Sequence, residues 1–163
     1  MNKSIVLSCE KVAKFEPENE KTILICLLDS HHDKLQHSEK FYKIFELYIE
    51  QFNAKIAEEF LEQLEFTISD DVKSYDLVVL CRAGQSRSPA MLIALSEIYN
   101  LGLENLKENY PHYNKQIYKE MMKASKITRD FSPYNLDHIL YDMGDKKRVV
   151  IKINDCALET RYQ

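Results

Sequence analysis

Glycine and proline are scarce in this chain, at three and four residues among 163, and the chain has no Gly/Ser linker, repeat or low-complexity tract. No apolar run approaches the roughly 18 residues that a membrane span needs. Charge also comes too early in residues 1–10 for a signal peptide. Positive charge is not in excess, because 22 Lys and Arg stand against 26 Asp and Glu, a net charge of −4. We therefore expect one globular domain over 1–163, soluble and cytoplasmic unless it is exported, with no nucleic-acid partner.

The chain also lacks clustered metal or disulfide ligands. No CxxC pair occurs, and no Cys/His group has zinc-ligand spacing. His31 and His32 are adjacent but have no third ligand in view, so we expect solvated loop residues, with no metal and no cofactor. A disulfide framework is not expected in a chain of this length. We predict buried, reduced thiols for three of the four cysteines, Cys9, Cys26 and Cys156.

What the chain does contain is an alternation of apolar runs and helical patterns. The runs predict strands over 5–7, 22–28, 76–81 and 148–153. Apolar residues spaced three or four apart predict helices over 38–64 (one helix, or two broken near Asn53), 88–99 and 111–125. Pro89 and Gly102 bracket the middle helix. This order predicts an α/β three-layer sandwich with a mostly parallel central sheet. Residues 129–163 form a candidate C-terminal extension.

One junction between a predicted strand and a predicted helix contains residues suited to catalysis. Cys81 ends the predicted strand, and Gly84, Arg87 and Ser88 follow it at short spacing. Backbone N–H groups of residues 82–87 can curl into an anion nest above the helix N-terminus. Such a nest stabilises a thiolate, and Arg87 supplies a planar cation that matches two phosphate oxygens. A buried Cys followed by a surface Arg is an ordinary arrangement, but the combination here predicts a phosphate-binding loop with a cysteine nucleophile.

Residues 81–88, Cys-Arg-Ala-Gly-Gln-Ser-Arg-Ser, resemble the C-x-x-G-x-x-R-S signature of cysteine-dependent protein tyrosine and dual-specificity phosphatases. The resemblance implies that Cys81 forms a phosphocysteine and that Ser88 supports the departing thiolate. It covers about eight residues, and the order of elements extends it more weakly over about 20–125. Family members usually carry histidine before the cysteine, whereas Leu80 stands here, which leaves the degree of thiolate activation open. The resemblance also implies phosphate binding by Arg82, Ala83, Gly84, Gln85, Ser86 and Arg87.

Two further site residues are expected outside the loop. A general acid should lie at the carboxyl end of a neighbouring strand, where Asp29 follows the run 22–28. Asp33 in the same loop is the alternative, while Asp70 and Asp71 are typical of a surface turn. The family's dual-specificity branch often has a Pro-then-Asn element whose asparagine supports the loop. Residues 111–114 are similar to it, which implies that role for Asn114.

The sequence therefore predicts a hydrolase of phosphomonoesters, a protein tyrosine or dual-specificity phosphatase acting on a phosphorylated protein or another phosphomonoester. A phosphate-binding module with weak or no turnover is an alternative, because Leu80 replaces the usual histidine and two aspartates compete for the role of the acid. A rhodanese-like sulfurtransferase also places its cysteine in an amide nest, although the Arg87-Ser88 pair argues against it. The low-molecular-weight phosphatases share the loop pattern, but their loop lies at the start of the chain, whereas here it lies in the middle of the sequence.

Overall fold

One mixed sheet forms the centre of the protein. The computed structural model describes residues 3–29, 40–68, 71–126, 139–141 and 148–151. The strands are β1 (Ser4–Ser8), β2 (Thr22–Leu28), β3 (Lys43–Tyr48), β4 (Asp76–Cys81), β5 (Ile139–Tyr141) and β6 (Arg148–Ile151). The α-helices are α1 (Cys9–Val12), α2 (Ala54–Ile68), α3 (Arg87–Tyr99), α4 (Leu106–Asn109) and α5 (Lys115–Ser125). Short 3-10 helices cover Ile49–Gln51 and Val72–Ser74.

The sheet has the strand order β1-β4-β2-β3-β6-β5. Every neighbouring pair is parallel except β5 with β6, which is antiparallel. The predicted α/β architecture with a mostly parallel sheet is therefore confirmed. In the register, Ser8 lies opposite Cys81, and Cys26 lies opposite Leu80. The carboxyl ends of β1, β4 and β2 consequently meet at one edge of the sheet, where ligands bind in open parallel sheets.

Apolar side chains cover both faces of the sheet. On one face, residues of β2, β3 and β4 pack with buried residues of α2, α3 and α5. On the other, alternate residues of the same strands pack against Val12 of α1, Phe15 and Phe41. Every residue of β2 and β4 is buried, which is why their sequences read as continuous apolar runs rather than alternating ones. The result is a three-layer arrangement.

The helix predicted over 38–64 is wrong over 43–48, and its first two residues lie outside the described part of the chain. Residues 43–48 form β3, with Ile44, Phe45 and Leu47 fully buried. A strand covered on both faces is apolar at consecutive positions, so a short run of this kind fits a helical period equally well. Neither alternative, one helix or two broken near Asn53, is correct, because a strand precedes α2; a helix does begin at that point, where the Asn53 side-chain oxygen accepts a hydrogen bond from the Ile56 N–H at 2.9 Å and caps α2.

The other predicted helices differ from the structure mainly at their ends. Helix α3 begins at Arg87, and its left-handed terminal residue is Asn100, with φ 53°, rather than Gly102. Helix α5 begins at Lys115 instead of 111, because Asn114 caps it. The last predicted strand ends at Ile151, and the remainder of 129–163 apart from β5 lies outside the described residues.

Among the cysteines, Cys26 is buried and Cys9 only half-buried, so the predicted burial of Cys9 is wrong; neither forms a disulfide. Cys9 follows directly on β1 at the sheet edge, which explains its partial exposure. Cys156 lies outside the described residues. Across the described ranges, no helix is long and apolar enough to cross a membrane.

Candidate phosphate-binding site

The loop 82–86 connects β4 to α3 at the edge where the parallel strands end. Cys81 is the last residue of β4, and Arg87 is the first residue of α3. Strand β4 lies between β1 and β2, so the carboxyl ends of two neighbouring strands flank the loop. The N-terminus of a 13-residue helix follows it directly, which adds a partial positive charge and free N–H groups.

Gly84 explains how the loop turns tightly at this edge. Its φ is +71°, a left-handed conformation in which a side chain is strained. A Cβ at this position would lie 3.1 Å from the backbone nitrogen of Ser8 and 3.2 Å from the carbonyl carbon of Leu7. One residue further, the Cys9 N–H donates a hydrogen bond to the carbonyl oxygen of Arg82 at 3.2 Å. The end of β1 thus packs directly against the loop and positions it.

The Cys81 thiol lies at the base of the loop and is 3% exposed. Its Sγ is 3.2 Å from the Ser88 hydroxyl oxygen and accepts a hydrogen bond from the Gly84 N–H at 3.2 Å. Burial raises the pKa of Cys81, but hydrogen bonds from the Ser88 hydroxyl and from the N–H groups of Ser88, Gly84 and Arg87 outweigh it and leave the pKa below its usual value. A low pKa favours the thiolate, which is the nucleophilic form.

Asp29 contacts both Arg82 of the loop and Arg87 at the start of α3. It follows β2 directly, three residues beyond the register partner of Leu80. Its Oδ1 accepts a hydrogen bond from Nη1 of Arg87 at 2.7 Å, and its Oδ2 is 3.9 Å from Nε of Arg82. The structure therefore brings the first candidate acid to the loop. The alternative, Asp33, lies outside the described residues together with His31 and His32.

Asn114 touches the loop through its backbone. Its N–H donates to the carbonyl oxygen of Ser86 at 3.0 Å. Its side-chain oxygen accepts from the Ile117 N–H at 3.0 Å and caps α5. The family resemblance implies that Asn114 supports the loop. In the structure its backbone N–H contacts the loop directly, whereas its side chain caps α5.

Leu80, which stands where the resembling family usually has histidine, is fully buried. It belongs to the core on the opposite face of the sheet from Cys81, because successive strand residues alternate in direction. The hydrogen bonds that lower the pKa of Cys81 come from the loop and from Ser88. Leu80 makes none of them.

Sequence reasoning missed three contacts at this site. It did not anticipate the packing of Gly84 on the end of β1, the hydrogen bond between Cys9 and Arg82, or the approach of Arg82 to Asp29. Only the first has a signal in the sequence, since a glycine inside a short loop indicates a positive φ or a close backbone approach. The other two depend on strand order.

In the described part of the chain, no group of three or more His, Cys, Asp or Glu side chains could hold a metal ion. The site consists instead of a thiol, backbone N–H groups, two guanidinium groups and one carboxylate. In comparisons with known proteins, no family model, no curated protein and no solved structure matches this chain. Any function proposed for it therefore depends on its own residues and their geometry.

Proposed function

We propose that the protein hydrolyses phosphate monoesters through a cysteinyl-phosphate intermediate, as a protein tyrosine or dual-specificity phosphatase. One observation carries the proposal. The Cys81 thiol has a lowered pKa and lies in a loop of backbone N–H groups that ends at Arg87. A thiolate beneath N–H donors and a guanidinium is suited to bind a phosphate dianion and attack its phosphorus.

In the first step, the Cys81 sulfur forms a bond to phosphorus while the bond from phosphorus to the leaving oxygen breaks. Asp29 in its acid form gives its proton to that oxygen, so the alcohol or phenol departs neutral. In the second step, water attacks the phosphocysteine, and the Asp29 carboxylate takes a proton from it. The bond between sulfur and phosphorus breaks, inorganic phosphate leaves, and the Ser88 hydroxyl, 3.2 Å from Sγ, stabilises the thiolate that re-forms.

The first test is phosphate release from a phosphotyrosine peptide with EDTA present, comparing wild type with Cys81→Ser. We expect release by wild type and a loss of at least ~10³-fold in the variant, because the serine hydroxyl is a far weaker nucleophile at neutral pH than a thiolate. Tungstate binding should survive in Cys81→Ser, because the loop N–H groups and Arg87 are unchanged. Cys9→Ser is the matched control and should retain turnover, since the Cys9 contact with the loop uses its backbone N–H.

A phosphate-binding module without turnover is the second candidate. The ion pair between Asp29 and Arg87 at 2.7 Å favours it, because an Asp29 that stayed bound to Arg87 would not reach the leaving oxygen as an acid. Tight binding of phosphopeptide and tungstate by wild type, with no phosphate release from any ester, would establish this reading. Equal release by wild type and Cys81→Ser would exclude the cysteine mechanism.

A further inference from the structure

Asp29 is shared between two guanidinium groups that differ in position. Its Oδ1 bonds Arg87, the first residue of α3, and its Oδ2 faces Arg82, the first residue after the nucleophile. The side chain of Arg87 is 32% exposed and that of Arg82 is 60% exposed. The carboxylate thus lies between an inner arginine at 2.7 Å and an outer arginine at 3.9 Å.

The inner contact conflicts with phosphate binding. In the proposed function, the Arg87 guanidinium presents its N–H groups to phosphate oxygens, and Asp29 occupies one of them, at Nη1. A carboxylate and a phosphate compete for such a donor because both recognise a guanidinium through paired oxygens. The negative charge of a bound phosphate would also repel Asp29 from this position. Asp29 therefore has to leave Arg87 when phosphate binds.

The outer contact lies where the acid is needed. In an in-line displacement the leaving oxygen departs on the side opposite the nucleophile. The Cys81 sulfur is buried at the base of the loop, so the leaving oxygen points towards the exposed side, where Arg82 lies. An Asp29 carboxyl that stays with Arg82 would be close to that oxygen.

We propose that Arg82 is a positioning residue for Asp29: substrate phosphate displaces Asp29 from Arg87, and Arg82 holds it at the mouth of the loop, beside the leaving oxygen. The inference rests on the proposed function. It assigns to the Arg82 side chain a role separate from phosphate binding, which the backbone of the same residue can still serve.

The experiment compares kcat and KM for phenyl phosphate, a poor leaving group, with those for 4-nitrophenyl phosphate, an activated one. Asp29→Asn should lower kcat for phenyl phosphate by about 10²-fold or more and affect the nitrophenyl ester far less. Arg82→Ala should lower kcat for phenyl phosphate by about tenfold and kcat for the nitrophenyl ester by no more than about twofold, with KM unchanged. Arg82→Lys should recover part of the loss. Asp29→Asn combined with Arg82→Ala should lose no more than Asp29→Asn alone, because the two residues act together.

Two controls separate this role from others. Lys107→Ala removes an exposed cation from its 3.0 Å ion pair with Glu97 on the surface of α3 and α4, and both esters should react as with wild type. The tungstate dissociation constant should be unchanged in Arg82→Ala. If instead that constant and KM rise together for both esters, Arg82 binds phosphate directly and the positioning role is overturned.

Other outcomes are equally decisive. Loss of kcat to the same extent on both esters, or no loss at all, would also overturn the positioning role while leaving the phosphatase proposal intact. Absence of Cys81-dependent release from either ester by wild type would overturn the proposed function itself, and the positioning role with it. Circular dichroism of each variant checks that the fold is retained, as the exposure of Arg82 leads us to expect.

Discussion

Gly84 and Gly102 have nearly the same backbone conformation but different surroundings. Their φ angles are +71° and +75°. A side chain at Gly84 would meet the backbone of Leu7 and Ser8 at 3.1 to 3.3 Å, whereas at Gly102 nothing lies within 4 Å. The two positions therefore separate the cost of a left-handed conformation from the cost of a close backbone contact.

We expect Gly84→Ala to abolish tungstate binding and Cys81-dependent turnover and to destabilise the protein by more than the ~1 kcal/mol of left-handed strain alone. The added methyl group has to push the loop away from β1, because the atoms it meets are backbone and cannot rotate aside. Gly102→Ala should cost about 1 kcal/mol and leave turnover unchanged. Denaturant unfolding and tungstate titration measure both, and equal effects of the two substitutions would show that the contact with β1 does not position the loop.

At the scale of elements, helix α5 links the site to the rest of the fold. It has 11 residues and packs its buried residues Ile117, Met121 and Ala124 into the core. A helix of this length is marginal alone in water and depends on packing and capping. Asn114 supplies the cap, and its N–H holds the carbonyl of Ser86 in the loop. The start of α5 and the geometry of the loop are consequently coupled.

Asn114→Ala removes the cap and should destabilise the protein by about 1 kcal/mol. It should also lower kcat by a few fold, since the N–H that bonds Ser86 stays present but is held less firmly. Asn105→Ala is the matched control, because Asn105 precedes α4 without a side-chain capping bond. We expect this substitution to change the free energy of unfolding by no more than about 0.5 kcal/mol. Thermal unfolding and phosphatase kinetics test both variants. An Asn114→Ala protein with lower stability but unaltered kcat would mean that the cap does not reach the loop.

At the scale of the whole molecule, one buried acid couples stability to pH. Glu59 of α2 is 2% exposed, and its Oε2 has no hydrogen-bond partner. Burial, followed by repulsion from Glu62 and Glu58, raises the pKa of Glu59 from 4.5 to about 7. The folded state therefore binds this proton more tightly than the unfolded state. The stability that this provides is complete below about pH 4.5 and is lost as the pH rises through 7.

We expect Glu59→Gln to be more stable than wild type at pH 8, by about 1–2 kcal/mol, because the neutral amide avoids burying a charge. The difference should vanish near pH 4, below the usual pKa of 4.5, where Glu59 is mostly protonated in both the folded and the unfolded protein. Glu108→Gln changes an exposed residue of α4 and should leave the pH dependence as it is. Urea unfolding at both pH values gives the comparison. If the difference in unfolding free energy between Glu59→Gln and wild type is the same at both pH values, Glu59 does not titrate in this range.

Local pattern determined part of the structure from the sequence alone. The strand 76–81, the following turn and the helix after it were predicted because all three are encoded within 24 consecutive residues by a buried apolar run, a glycine and a helical period. The α/β class followed from the alternation of such segments. The same local reasoning failed at β3, since a short buried strand and one face of a helix present similar apolar spacing, and only the neighbouring strands β2 and β6 distinguish them.

Tertiary structure decided what surrounds the loop. Asp29 and Arg87 are 58 residues apart and meet because β2 and β4 are parallel neighbours whose carboxyl ends lie at one edge. Gly84 rests on β1 for the same reason, and Asn114 reaches Ser86 because α5 packs against α3. A sequence specifies which residues can do chemistry through their types and local spacing. Which of them share a site depends on strand order and helix packing, and these are set by burial of apolar surface across the whole chain.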